Sequence, residues 1–188
     1  MLIWMKYPHA RSRKFLLLDR DGVLNENRPD YVKNMREVRF YPEALESVKL
    51  LHQKGVSIIL ISNQSGVGRG FIQWDHFWEM HDGFIRKIED SGGEILAAFY
   101  CPHRPDEHCL CRKPLPGMLL NACRIYGIQP RDTAFIGDQG TDVLAARKTG
   151  CAAIRICRGM DGKAPDDCME TDTPVFDTLL DAVHGLYV

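Results

Sequence analysis

Asp19 and Asp21 stand two residues apart, directly after the apolar run Phe15-Leu16-Leu17-Leu18 and directly before Gly22. Two carboxylates at that spacing repel unless a proton or a cation offsets them. A hard divalent ion such as Mg²⁺, held partly by carboxylates and partly by a substrate phosphate, does so. A bare D-x-D-G also fits an acidic turn, so the rest of the chain has to decide. Ser62 and Asn63 open the polar, glycine-rich stretch that runs on to Gly70, Lys113 sits in Arg112-Lys113-Pro114, and Asp138 follows Gly137. With these, one carboxylate can attack phosphorus, a second can move a proton and a third can help hold a metal. A hydroxyl and an ammonium can bind phosphate oxygens. That mixture suits phosphoryl transfer, in which positioning and charge stabilisation do most of the catalysis.

A second cluster lies between Cys101 and Cys111. Cys101, His103, Cys109 and Cys111 supply three thiols and one imidazole. This is a complete tetrahedral Cys₃His set, so zinc held by it would be structural. The alternative is reduced thiols without metal. His108 is the spare imidazole and is expected to be exposed. The spacing C-x-H…C-x-C is not that of a zinc finger or ribbon, so no nucleic-acid role follows. Zinc here would order a loop that otherwise lacks a core and would set Arg112-Lys113 against a substrate.

The elements that must position these groups are read from periodicity. Four consecutive apolar residues before Asp19 read as a buried strand of a parallel sheet. Further strands are expected at 56–61, 95–100, 133–136 and 152–156. Helices are expected from Pro42 to Gly55, from Trp74 to Asp90, from Pro116 to Gly127, from about Thr141 to Lys148, and near 175–186. Residues 25–39 read as an irregular loop. His81 shares the stripe of Phe77, Phe84 and Ile88, and so reads as a core-edge residue rather than a ligand. Alternating strands and helices imply an α/β fold, a doubly wound parallel sheet with helices on both faces. In such sheets ligands bind beyond the carboxyl ends of the strands, where the acids, Ser62, Asn63 and Asp138 all fall. No insertion is long enough for a separate cap domain.

The chain has 188 residues, 45% of them hydrophobic, and a formal net charge of −1. One domain over 1–188 is expected, with 1–13 as an N-terminal arm and 101–111 as the metal loop. So balanced a charge gives no pull towards nucleic acid or a membrane surface. Residues Met1 to Pro8 have neither a long apolar segment nor a small-residue cleavage site, so a cytoplasmic, monomeric enzyme is expected. Of the seven cysteines, Cys123, Cys151 and Cys157 read as buried free thiols.

Four stretches, Asp19-Arg20-Asp21-Gly22-Val23-Leu24-Asn25, Ser62-Asn63-Gln64-Ser65-Gly66, Arg112-Lys113-Pro114 and Gly137-Asp138, resemble the four motifs of the haloacid dehalogenase superfamily of phosphatases. The likeness spans about residues 15–157. In its Cys/His loop and its Pro116-Gly117-Met118 it is most similar to the heptose-bisphosphate phosphatase branch, with the histidinol-phosphate phosphatases as near relatives. The resemblance implies a nucleophilic Asp19 that forms an aspartyl-phosphate. It implies that Asp21 protonates the leaving oxygen and then deprotonates water. Mg²⁺ would be held by Asp19, Asp138 and the backbone carbonyl of Asp21. Ser62 and Lys113 would stabilise the phosphoryl group, with Asn63, Gln64 and Ser65 beside them. Arg112 would contact the rest of a sugar phosphate, and Asn27, Asp30 and Tyr31 lie where the family meets the sugar. Ser62 replaces a common threonine and Gln139 a common lysine or serine, which makes Asp142 a candidate for a supporting role. The expected partner is a small sugar phosphate. Histidinol phosphate or another small ester remains the alternative substrate, and a zinc-stabilised binding protein without catalysis the alternative class.

Overall fold

Leu16, Leu17 and Leu18 are fully buried on the central strand of a seven-stranded sheet. The computed structural model describes residues 1–10, 14–158 and 172–187. Its strands are β1 (Leu2–Met5), β2 (Lys14–Leu18), β3 (Val56–Asn63), β4 (Ala97–Cys101), β5 (Ala134–Gly137), β6 (Ala152–Ile156) and β7 (Val175–Phe176). Its helices are α1 (Pro42–Gln53), α2 (Ser65–Gly68), α3 (Trp74–Asp90), α4 (Gly117–Tyr126), α5 (Gly140–Thr149) and α6 (Leu179–Tyr187).

The strand order is β1-β4-β3-β2-β5-β6-β7, parallel throughout except for β1, which runs antiparallel to β4. From β2 the chain winds outward through β3 to β4, then returns to build β5 and β6 on the other side. The point where the winding reverses lies at the carboxyl ends of β2 and β5, where Asp19 and Asp138 emerge. Side chains alternate across β2. Leu16 and Leu18 face one core with α1, α3 and α6, while Leu17 faces the other with α4 and α5. The sheet is thus covered on both faces, and no cap domain stands over it among the described residues.

Three local features depart from the sequence reading. Residues 2–5, read as part of an arm, form an edge strand. Their alternating half-buried pattern lets Leu2 and Trp4 pack on the core while Ile3 and Met5 face outward. Val175–Phe176, read as the start of the last helix, pairs with β6, and the helix begins at Leu179. Cys157 is disulfide-bonded, not free, whereas Cys123 and Cys151 are free and buried as expected. His81 is buried in the core, its Nδ1 2.9 Å from the Tyr100 hydroxyl and its ring edge-on to Trp4 and Trp78. Burial pushes its pKa down to about 4.

Candidate active site

Asp19 leaves β2 with its backbone N–H still bonded to Ile136 O of β5, 2.8 Å away, so the sheet itself fixes where the carboxylate starts. The chain then turns back sharply, with Gly22 N–H donating to Asn25 O at 2.7 Å. Gly22 has φ of +84°, and a Cβ there would collide with the Asp138 carboxylate. Only glycine lets the β2 and β5 ends approach this closely.

Lys113 is brought from before α4 into the floor of the cleft. Its Nζ lies 3.0 Å from Asp19 Oδ1, 2.7 Å from Asp142 Oδ1 and 2.9 Å from Ile61 O. The ammonium is 98% buried, so these three oxygens replace the water it has lost. Burial alone would lower its pKa, but Asp142 and Asp19 outweigh burial and hold it up, so Lys113 stays charged. Asn63 explains how Lys113 is delivered. Its side chain accepts from Lys113 N–H and donates to Lys113 O, both at 3.1 Å. Asn63 thus holds the Lys113 backbone in place while also lining the cleft.

Asp21 is gripped from three sides. Arg20 Nη2 lies 3.0 Å from its Oδ1, Asn25 Nδ2 donates to Oδ1 at 2.9 Å, and Gln64 Nε2 donates to Oδ2 at 2.7 Å. Burial would raise the Asp21 pKa, but Arg20, Asn25 and Gln64 together hold it below its ordinary value. Asp19 shows the opposite balance. Burial pushes its pKa up to about 8, opposed by Lys113 and reinforced by Asp142, Asp138 and Asp21. Burial likewise lifts Asp138 to about 6.

That crowding is what a cation relieves. Asp19, Asp138 and Asp142 each place an oxygen within 4.8 Å of the others. Asp138 Oδ1 is buried and has no hydrogen-bond partner among the described residues, which suits an oxygen that ligates a metal. The oxygen donors suit Mg²⁺ and leave coordination positions for a phosphate. Asp142, a supporting candidate from the sequence, is 99% buried in the fold, pairs with Lys113 and completes this trio.

The cleft holds about 290 Å³ and is lined by every predicted catalytic and substrate residue except Asp30. Asp19, Asp21, Ser62, Asn63, Gln64, Ser65, Arg112, Lys113 and Asp138 meet there, with Asn27 and Tyr31 at its rim. Asp30 points elsewhere, because Arg28 at 3.1 Å and Lys33 at 2.7 Å hold its carboxylate in solvent. Arg28 itself lines the cleft. Ser62 is buried and receives a hydrogen bond from Gln64 at 2.9 Å. The Tyr31 hydroxyl lies 3.5 Å from the Ser65 hydroxyl. Arg20 and Asn25 belong to the motif, but the sequence alone assigns them no role. Residue parity was the available signal, since Arg20 shares the face of Leu16 and Leu18 and must be buried.

The Cys/His loop adjoins this cleft. Asn63 pairs in register with Cys101, Gln64 N–H donates to Cys101 O at 2.7 Å, and Gly68 N–H to Pro102 O at 3.1 Å. A Cβ at Gly68 would strike the Pro102 carbonyl, so glycine permits the approach of α2. Cys101 Sγ lies 3.4 Å from His103 Nδ1 and 3.6 Å from Cys109 Sγ, and Cys111 Sγ lies 3.5, 3.3 and 3.6 Å from Cys101, His103 and Cys109. A tetrahedral zinc bound by sulfur and nitrogen sets ligand separations of roughly 3.5–3.8 Å, so the four ligands already have the size of a zinc cage. His108 is exposed, as expected.

A nucleophile-capable Asp beside a buried Lys, on the carboxyl edge of a parallel sheet, defines a phosphoryl-transferring α/β hydrolase. Residues 110–182 match the family model for HAD-hydrolase-like proteins. The D-glycero-beta-D-manno-heptose-1,7-bisphosphate 7-phosphatase of Pseudomonas aeruginosa is 36% identical over 175 residues, covering 93% of this chain and 98% of that protein. The alpha-anomer enzyme of Photorhabdus laumondii is 31% identical, covering 73% and 78%. The crystal structure of D,D-heptose 1,7-bisphosphate phosphatase from B. bronchiseptica, complexed with magnesium and phosphate, superimposes with a TM-score of 0.83 at 34% identity, covering 92% of this chain and 97% of that one. The chain belongs to the haloacid dehalogenase-like hydrolases, in the family of the heptose-1,7-bisphosphate 7-phosphatases.

Proposed function

We propose that this chain is a Mg²⁺-dependent phosphatase that removes the 7-phosphate of D-glycero-D-manno-heptose 1,7-bisphosphate. The observation that carries the reading is the Asp19–Lys113–Asp142 array beside Asp138, with Arg112 on the same wall of the cleft. Asp19 attacks phosphorus, so its oxygen forms a bond to phosphorus as the bond to the sugar oxygen breaks. Lys113 and Ser62 bind the oxygens of the phosphoryl group. Asp19, Asp138 and Asp142, with the backbone carbonyl of Asp21, would hold Mg²⁺, which supplies charge neutralisation of the transferred group. Asp21 carries the proton. It passes one to the sugar oxygen in the first half-reaction, then takes one from the water that hydrolyses the aspartyl-phosphate. With Asp21 held ionised by Arg20, the proton stays on the monoanionic phosphate ester (second pKa about 6) until the sugar oxygen gains negative charge, and Asp21 relays it to that oxygen as the bond to phosphorus breaks. Arg112 offers a two-pronged contact to the second phosphate. Cys101, His103, Cys109 and Cys111 would hold zinc, which would fix the loop that carries Arg112 and Lys113.

The test is kcat/KM with Mg²⁺ for both anomers of heptose 1,7-bisphosphate and for histidinol phosphate. A preference of about 100-fold or more for one bisphosphate anomer is expected, some 2.7 kcal/mol of transition-state binding. Comparable slow turnover of all three would overturn the substrate while leaving the phosphatase chemistry.

A further inference from the structure

Arg20 is an odd residue for its place. It follows Leu18 on the core-facing side of the strand end, it is 97% buried, and its guanidinium lies 5.7 Å from the centre of the Phe84 ring. Replacing a buried ion pair with apolar side chains is often neutral or stabilising, so stability alone does not account for a charge here. What the guanidinium does touch is specific. Its Nη2 lies 2.9 Å from Asp21 Oδ2 and 3.0 Å from Oδ1, and its Nε lies within 3.3 Å of both oxygens. The same Nη2 donates to Gln64 Oε1 at 3.2 Å, and Gln64 Nε2 in turn donates to Asp21 Oδ2 at 2.7 Å. Arg20, Gln64 and Asp21 thus close a ring of hydrogen bonds, and Asn25 adds a fourth side chain. The ring is anchored at both ends, since Arg20 N–H donates to Asp19 Oδ1 at 2.7 Å and Gln64 also donates to Ser62. Only 18% of the Asp21 side chain stays open, and the residue lines the cleft.

We propose that Arg20, closed by Gln64, is a positioning residue that fixes the carboxylate of Asp21 at one angle to the leaving-group oxygen. The inference rests on the reading of Asp21 as the group that exchanges the proton. A carboxylate held by one side chain can rotate about its Cβ–Cγ bond, whereas this one is held on both oxygens by a planar fork and an amide. Proton transfer needs the donor within hydrogen-bond reach of the leaving oxygen, so freedom at Asp21 weakens the acid step and leaves attack by Asp19 intact. Lysine cannot substitute, because a point ammonium does not lock the plane of a carboxylate.

The dependence on the leaving group tests this. An alkyl phosphate must have its oxygen protonated as it leaves, whereas p-nitrophenyl phosphate releases a stable anion without help. The ratio of kcat/KM for the two esters, which reports only the steps up to leaving-group departure, is measured for the unmodified protein, Arg20→Lys, Gln64→Met and Asp21→Asn. Arg20→Lys is expected to lower the alkyl value about 30-fold and the aryl value less than about threefold, with Gln64→Met following in the same direction by a smaller factor. Retained aryl activity shows that the variants are folded. Should Arg20→Lys lack aryl activity, Gln64→Met decides. If Asp21→Asn lowers both esters alike, the proton-exchange reading itself fails. If Asp21→Asn is selective but the decisive clamp variant lowers both esters alike, or neither, the clamp is only structural and the inference is overturned.

Discussion

Asp19, Asp138 and Asp142 crowd three carboxylates within 4.8 Å of one another, and a short distance along the same sheet edge Cys101, His103, Cys109 and Cys111 crowd four softer ligands as closely. The two clusters resolve their crowding in different ways. The acidic trio keeps a buried ammonium, Lys113, against two of its members and leaves Asp138 Oδ1 without a donor. It is an incomplete shell of hard oxygens, open to a cleft, which suits an ion that shares its coordination with a substrate. The Cys/His set has all four ligands in tetrahedral reach, so its shell would close around a metal without substrate. Completeness of the shell, more than the presence of ligands, separates a site that reacts from one that holds a loop.

Substitutions sharpen that contrast. Asp19→Asn, which removes the nucleophilic carboxylate, is expected to lower kcat by about 1,000-fold or more while zinc content stays unchanged. Phosphate release at the original rate would break the assignment. Cys109→Ser should abolish zinc retention and lower unfolding free energy by on the order of 3–5 kcal/mol, read by metal analysis and urea denaturation. An equally stable, metal-free protein would show that the loop needs no ion. Asp142→Asn should weaken the apparent Mg²⁺ affinity about 10- to 100-fold in an activity titration. Stability without metal should fall as well, by on the order of 3 kcal/mol, because the buried Lys113 loses one of its two carboxylates. Loss of stability with an unchanged Mg²⁺ affinity would make Asp142 a structural member only, closer in kind to the cysteines.

The smallest effect lies outside both clusters. His81 is buried neutral, with its pKa pushed from 6.5 to about 4. Above pH 6.5 neither the folded nor the unfolded chain protonates it. Below that, the unfolded chain takes the proton first, so stability falls as pH falls towards 4, at up to about 1.4 kcal/mol per pH unit. His81→Gln should flatten that part of the pH–stability curve, and an unchanged slope would assign the loss to the carboxylates.

Most of this was legible from residue order. A parallel sheet buries its strands on both faces, so the runs at Leu16, Ile58 and Phe135 mark themselves, and Asp19, Ser62 and Asp138 lie at or just past their carboxyl ends, whereas Lys113 comes from the segment before α4. The Cys₃His cluster is legible because its four residues lie within one loop. Less was visible where a residue's neighbours come from elsewhere in the chain. Asn63 reads as a ligand contact, but its second task, holding the backbone of Lys113 fifty positions on, is invisible in its own surroundings. Asp30 reads as a sugar contact until Arg28 and Lys33 are seen to neutralise it. Asp142 looks secondary because its importance comes from a lysine on another segment. The edge strand 2–5 is short and half exposed, and only β4 beside it makes it a strand.

The most direct test of the account is to trap the covalent intermediate. Protein quenched during turnover of heptose 1,7-bisphosphate is reduced with borohydride, which converts an aspartyl-phosphate to homoserine, and the peptides are sequenced by mass spectrometry. The account predicts homoserine at position 19, and none there in Asp19→Asn. Homoserine at position 21 instead, or turnover with no modified aspartate at all, would contradict it.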